Sequence, residues 1–152
     1  METPRRRRLL AVASGGGHWV QLRRLAPAFE GHDVAYLTTD AGYRDEVGEA
    51  RFYAVADGNR NSKVALARSL AQIVAVLLRE RPDVVVTTGA APGYLTIRLA
   101  KLLRAQTLWI DSVANVEELS LSGRMASTKA DVCLTQWEHL AGGPVAYEGA
   151  VL

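Results

Sequence analysis

The sequence predicts an α/β protein, a Rossmann-like doubly wound parallel sheet, and three observations carry that prediction. Short apolar or β-branched runs alternate with helical runs instead of grouping into hairpins. The unusual residues collect where the strand-like runs end: Ser14-Gly15-Gly16-Gly17-His18, Thr39-Asp40, Thr87-Thr88-Gly89, Asp111-Ser112 and Gln136-Trp137. The chain has 152 residues, 49% of them hydrophobic and 22% charged, which suffices for one domain and not for two. Sheets of this class bind ligands beyond the carboxyl ends of their strands, where strand order reverses.

Each element follows from local pattern. Residues 9–14 are a continuous apolar run closed by three glycines, as in a strand buried on both faces. Residues 18–30 carry Leu22, Leu25, Ala26 and Phe29 at helical spacing. Residues 33–39 and 51–55 read as strands, with a short helix over 43–49 between them. A polar loop over 57–62 ends in Ser62, a good N-cap for the longest helix, 63–80. Leu66, Leu70, Ile73, Val74 and Leu77 form its apolar stripe, Arg68, Gln72 and Arg79 mark the other side, and Pro82 stops it. Residues 83–88 (DVVVTT) are a fourth strand; 89–93 are a loop with Pro92 near a helix start, and 94–104 are helical. Strands at 106–110, 130–135 and 145–147 complete the series, with a long polar loop over 111–123 containing one helical turn. Residues 1–8 are a basic tail and 9–152 a single lobe.

Composition excludes several classes. The single cysteine, Cys133, cannot form an internal disulfide framework or a cysteine zinc site, and its strand-like neighbours make it a small core residue. No apolar run approaches about 18 residues, so no spanning helix is expected. The apolar run after the arginines is too short for a secretory core, so a cytoplasmic location is expected. The net charge of +2 conceals a gradient: residues 1–30 hold six arginines against two glutamates, net +4, and residues 107–152 hold two cations against six acids, net −4. Such a basic front end either attracts phosphates, of an anionic membrane surface or of nucleic acid, or serves only to keep the chain soluble.

Four segments carry chemistry. Ser14 and glycines 15–17, between a strand and a helix, either bind substrate, with the exposed N–H groups cradling a phosphate or sugar oxygen, or simply make a tight turn with His18 as a cap. Val20 occupies the third glycine position of a dinucleotide fingerprint, and no Lys-Ser/Thr follows as in a P-loop. His18, at the helix start, is the general-base candidate, because a helix N-terminus favours the neutral ring. His32 and His139 read as surface residues, and three scattered histidines do not make a metal site. In a sheet ordered 3-2-1-4 the loop at 87–93 faces the glycines, where Thr88 and Gly89 either bind a ligand or form a compact turn that requires small residues. The loop at 111–124, long and polar, is either a site or an interface and adds Asp111, Ser112, Asn115 and Glu117 as substrate-binding candidates; the adjacent Glu117 and Glu118 are not a paired acid and base and read equally as solvated charges. Trp137 either caps the core or anchors a sugar or a subunit.

Taken together and in order, Val12-Ala13-Ser14-Gly15-Gly16-Gly17-His18, Thr88-Gly89, Leu119-Ser120-Leu121-Ser122-Gly123-Arg124, Ala130-Asp131 and Gln136-Trp137 resemble the PssD/CpsF/EpsE-type accessory, acceptor-side subunits of split GT-B glycosyltransferases. These are similar to the Alg-type membrane subunit of the dolichol-linked GlcNAc transferase and to the N-terminal domain of MurG. The resemblance runs from about residue 9 to 150. It implies half an enzyme, inactive without its partner: one GT-B lobe that works with a separate donor-binding subunit. The sugar comes from a UDP-sugar through that partner and goes to a lipid-linked or lipopolysaccharide acceptor. Gly16, Gly17 and His18 match the loop near the diphosphates. Asn115 stands where many relatives have arginine. Relatives in eukaryotes have an N-terminal membrane helix; here Arg5 to Arg8 imply peripheral contact with the inner face of an anionic membrane. No cofactor and no nucleic-acid partner is expected. Gln136, Trp137, Val145, Tyr147 and residues 149–152 are the interface candidates. The competing functions are a non-catalytic recruiting scaffold and a free-standing dinucleotide-binding protein with Asp40 on the ribose.

Overall fold

The computed structural model describes residues 5–58 and 61–151. Seven parallel strands form one sheet in the order β3-β2-β1-β4-β5-β6-β7: β1 (Arg8–Val12), β2 (Asp33–Thr38), β3 (Arg51–Ala54), β4 (Val84–Thr87), β5 (Gln106–Ile110), β6 (Val132–Thr135) and β7 (Val145–Tyr147). The order reverses between β1 and β4. These two strands pair in register from Leu9 with Val84 to Val12 with Thr87, so their carboxyl ends lie side by side. Arg8 is already in the sheet, paired with Asp33, which shortens the expected basic tail; residues 1–4 lie outside the described part.

Alternation along β1 divides the core. Leu10 and Val12 face Ile73, Leu77, Ile97 and Trp109, beneath α2 (Lys63–Glu80), α3 (Ala90–Leu102) and α4 (Leu121–Ala126). Leu9 and Ala11 face Trp19, Leu22 and Phe29 beneath α1 (Gly17–Arg24). A tryptophan therefore anchors each face, and each fully buried large side chain contributes about 1.5–3 kcal/mol. Cys133 lies in the first of these clusters, as expected, where burial and the nearby Asp111 push its thiol up to about 11.

Several boundaries differ from the sequence pattern. The helix expected over 18–30 is α1 followed by a 3-10 turn, Ala26–Phe29, because Pro27 has no N–H to continue an α-helix. The short helix before β3 is likewise a 3-10 segment, Ala41–Val47, capped by Asp40, which accepts from Gly42 N. Helix α3 starts at Ala90, four residues early, because Gly89 rather than the Pro92 region supplies its cap. The helical part of the long polar loop is α4, capped by Ser120. The buried stripe of α2 is Ser69, Ile73, Val76, Leu77 and Glu80, while Val74 faces outward. Glu80 is turned inward by a bidentate Arg51, at 2.9 Å, and by the Tyr53 hydroxyl. Burial opposes its charge, but Arg51 and Tyr53 outweigh that and hold the carboxyl below its ordinary range. Gln72, expected on the outer side, accepts from Ala56 N through Oε1.

Candidate functional site

The edge where β1 and β4 end is built on two glycine positions. After Val12 and Ala13 the chain passes Ser14 and Gly15, both half-buried, and reaches the exposed Gly16 at φ +70°. That left-handed conformation suits glycine and lets α1 begin at Gly17 with no side-chain cap. The first-turn N–H groups of α1 are thus presented at the edge. Gly16 N donates to the Tyr43 hydroxyl at 2.9 Å. Tyr43 stacks on Trp19, centroids 4.8 Å apart, and Trp19 Nε1 donates to Glu46. Tyr43 therefore walls the glycine loop and has its own hydroxyl proton to give. The sequence pattern missed it, since its only local signal is a tyrosine in a short polar segment.

His18 is half-buried on this edge, fastened twice to the end of β4. Its Nδ1 lies 3.0 Å from Thr88 O, and the Thr88 hydroxyl donates to His18 O at 2.6 Å. A carbonyl oxygen only accepts, so this contact places the ring proton on Nδ1 and leaves Nε2 with the lone pair. Thr88 is fully buried and spends both groups on His18. Gly89 is fixed by its own requirements. Its φ is +128°, and a Cβ there would lie 2.9 Å from His18 Nδ1. Both residues were expected to contact substrate; the structure uses them to orient the imidazole.

The loop after β5 is organised by Asp111, only 2% exposed. Its Oδ1 accepts from Trp109 Nε1 and Ser120 Oγ, and its Oδ2 from Asn115 Nδ2 and Ser120 N. Four donors around one carboxylate leave no lone pair directed at a ligand, so Asp111 positions the loop rather than binding substrate. Ser112 is also buried; its Oγ accepts from Gln21 Nε2 and Ala114 N. Asn115 is half-buried at the rim, and the exposed Glu117 lines an open cavity of about 380 Å³ beside it.

Gln136 was expected at an interface, yet it is 4% exposed and turned inward. It donates to Gln21 Oε1 and Asp111 O and accepts from Val151 N, so its amide satisfies polar groups of α1, of the chain just after β5 and of the C-terminal segment. Gln21, whose Oε1 also accepts from Val113 N, is the junction that the sequence did not reveal. It sits one turn past His18, so α1 is bolted to β4 by His18 and to the β5 and β6 loops by Gln21. Trp137 is half-buried and donates to Val113 O at 2.7 Å. Val145 belongs to the core, which removes it from the interface candidates; Tyr147 is exposed. His139, on the surface as expected, contacts Val116 O through Nε2 at 2.6 Å, and the half-buried His32 accepts from Arg7 N.

Comparison with known proteins agrees with this architecture. The family model described as "Oligosaccharide biosynthesis protein Alg14 like" matches residues 47–149. The UDP-N-acetylglucosamine transferase subunit ALG14 of Eremothecium gossypii is 27% identical, across 89% of this chain and 75% of its own length. Among solved structures, MurG of Acinetobacter baumannii superposes with a TM-score of 0.74 at 15% identity, over 91% of this chain and 44% of MurG. UDP-N-acetylglucosamine 2-epimerase of Rickettsia bellii gives 0.68 at 16% identity, over 94% and 44%. The chain thus spans less than half of these two structures, and at such identities the likeness shows the fold, one Rossmann-like lobe of the GT-B type. With a single seven-stranded lobe and a family match over more than half its length, the chain belongs to the Alg14-like family of oligosaccharide biosynthesis proteins.

Proposed function

We propose that this chain is the acceptor-side subunit of a two-subunit, UDP-sugar-dependent glycosyltransferase that acts on a lipid-linked or lipopolysaccharide acceptor. One observation carries the proposal: a relative named as a UDP-N-acetylglucosamine transferase subunit matches 89% of this chain over 75% of its own length. The donor nucleotide then binds a separate partner lobe, and the two lobes close over the edge that holds His18.

In this reading the acceptor hydroxyl attacks the anomeric carbon of the UDP-sugar. A carbon–oxygen bond forms as the bond to the leaving diphosphate breaks, and the acceptor proton passes to His18 Nε2. The N–H groups at Gly17 and the start of α1, together with the Tyr43 hydroxyl, stabilise oxygens of the diphosphate. Asn115 and Glu117 meet the acceptor at the rim. Asp111, Ser112, Gln21 and Gln136 hold that rim in place. Trp137 and Tyr147 lie where a partner approaches. Arg5 to Arg8 hold the lobe near the inner face of an anionic membrane in the cytoplasm.

The test is transfer of labelled sugar by the chain reconstituted with its partner. His18→Ala is expected to lower the rate at least a hundredfold without preventing pair formation, and neither subunit alone transfers. Full activity of His18→Ala in an assembled pair removes the base from the mechanism and leaves a recruiting scaffold.

A further inference from the structure

We infer that Glu46 is a positioning residue of the reacting edge: acting through Trp19, it holds Tyr43 so that the phenol proton meets the leaving diphosphate. The inference rests on the function proposed above and adds to it a residue outside the glycine loop, in the 3-10 segment Ala41–Val47. That segment is pinned along its length. Asp40 accepts from Gly42 N at 2.8 Å, Arg44 donates to Gly48 O at 2.9 Å, and Val47 is buried. Side chains three residues apart in a 3-10 helix lie in line. Tyr43 and Glu46 have that spacing, and both reach Trp19. The Tyr43 ring stacks on the indole with 15° between the planes, and Glu46 Oε2 accepts from Trp19 Nε1 at 2.8 Å. Trp19, 1% exposed, also meets Tyr36 and Phe52 edge-on, which holds it in place. A stack fixes the spacing of two rings and leaves them free to slide; the directional bond to Glu46 removes that freedom.

What this achieves at Tyr43 is direction. The phenol oxygen accepts from Gly16 N at 2.9 Å, so the hydroxyl proton points elsewhere. Among the described residues no group accepts that proton, whereas the Tyr53 hydroxyl donates to Glu80. Gly15 is half-buried and Gly16 exposed, so the proton is left at the open edge beside the start of α1. A hydroxyl that already accepts from an amide is polarised by it and donates more strongly. Such a donor suits an oxygen that gains charge as the bond between sugar and diphosphate breaks, because its help is then greater in the transition state than in the bound substrate. Glu46 also satisfies a buried indole N–H, a need that exists with or without the reaction. The two roles separate experimentally: the structural one is indifferent to the Tyr43 hydroxyl, and the positioning one depends on it.

The test is steady-state transfer of labelled sugar by the reconstituted pair, with every variant assayed well below its own thermal midpoint. Tyr43→Phe is expected to lower kcat roughly tenfold or more while KM for the UDP-sugar changes less than about threefold. Glu46→Leu is expected to lower kcat about fivefold, and Glu46→Gln, whose Oε1 still accepts from Trp19, to stay within about twofold of the wild type. Combining Tyr43→Phe with Glu46→Leu is expected to be no slower, within about twofold, than Tyr43→Phe alone, because the hydroxyl through which Glu46 acts is already gone. Losses that multiply in the combined variant assign Glu46 to the fold alone and overturn the inference. Equal losses in the leucine and glutamine variants overturn it too, as does a wild-type rate for Glu46→Leu. Those outcomes leave the proposed function standing. A wild-type pair that transfers nothing fails that function itself, and the role of Glu46 falls with it.

Discussion

Replacing Asp111 by asparagine changes no shape and reverses one hydrogen-bonding group, so its cost can be worked from the contacts. Each carboxylate oxygen accepts from two donors. One of each pair is a fixed N–H: Trp109 Nε1 at 3.1 Å for Oδ1 and Ser120 N at 2.9 Å for Oδ2. Whichever oxygen becomes the amide nitrogen, one of these N–H groups meets another donor. The side chain cannot swing away, because Oδ1 is packed against the backbone of Gly123. An orphaned buried donor costs about 1–3 kcal/mol, and each remaining bond loses about 1 kcal/mol of charge assistance. The neutral amide is cheaper to bury, which offsets part of the loss. The expected net destabilisation is about 3 kcal/mol, a fall in Tm of roughly 6–12 °C for a domain of this size. Urea unfolding at pH 7 measures it, with Asn115→Ala as the comparison. Asn115 supplies only one donor, at the rim, so its loss is expected to cost about 1 kcal/mol or less. A shift below about 0.5 kcal/mol for Asp111→Asn, or equal costs for the two variants, would refute the view that this carboxylate organises the loop.

Other consequences are equally direct. Gly89→Ala should cost about 1–3 kcal/mol of backbone strain and displace the imidazole from Thr88 O. Its transfer rate should fall at least tenfold under conditions where the pair remains folded, so an unchanged rate shows that the His18–Thr88 contact is dispensable. Acid should loosen the β3–α2 edge. Glu80 and Asp33 are both held below their ordinary values of 4.5 and 3.8, Asp33 chiefly by its bond to Arg51. Their contribution is therefore complete above about pH 5 and is lost as pH falls through the lowered native values. Arg51→Gln should flatten that part of the stability–pH curve and cost about 2 kcal/mol near neutrality, since it leaves Glu80, 8% exposed, without its cation; an unchanged acid limb contradicts the assignment. The Cys133 thiol, buried and raised to about 11, should react with a disulfide reagent at pH 8 only when the chain is unfolded. Stoichiometric labelling of the native protein at the rate of a free thiol would show that the β5–β6 region opens.

The strands and the edge they share were legible in the sequence because their signals are local. A β-branched run such as 84–87, or an apolar run ending in three glycines, specifies its own conformation whatever it packs against. Thus the seven strands, the helix at Lys63–Glu80 with its Ser62 cap, and the placement of Gly16, His18 and Thr88 at strand ends follow from pattern alone. What Asp111 and Gln136 do does not. Asp111 resembles a ligand-binding carboxylate until Trp109, Asn115 and Ser120 are seen to use both its oxygens. Gln136 resembles a surface residue until it meets Gln21, 115 positions away. Gln21, in the middle of α1, has no local signature at all. Hydrogen-bond satisfaction in a buried space depends on partners brought together by the fold, so tertiary structure alone decided which polar residues support the site and which are free to face a ligand. The facing of α2 belongs to the same class: Ser69, Ile73, Val76, Leu77 and Glu80 are its buried residues and Val74 is exposed, a choice set by what the helix packs against.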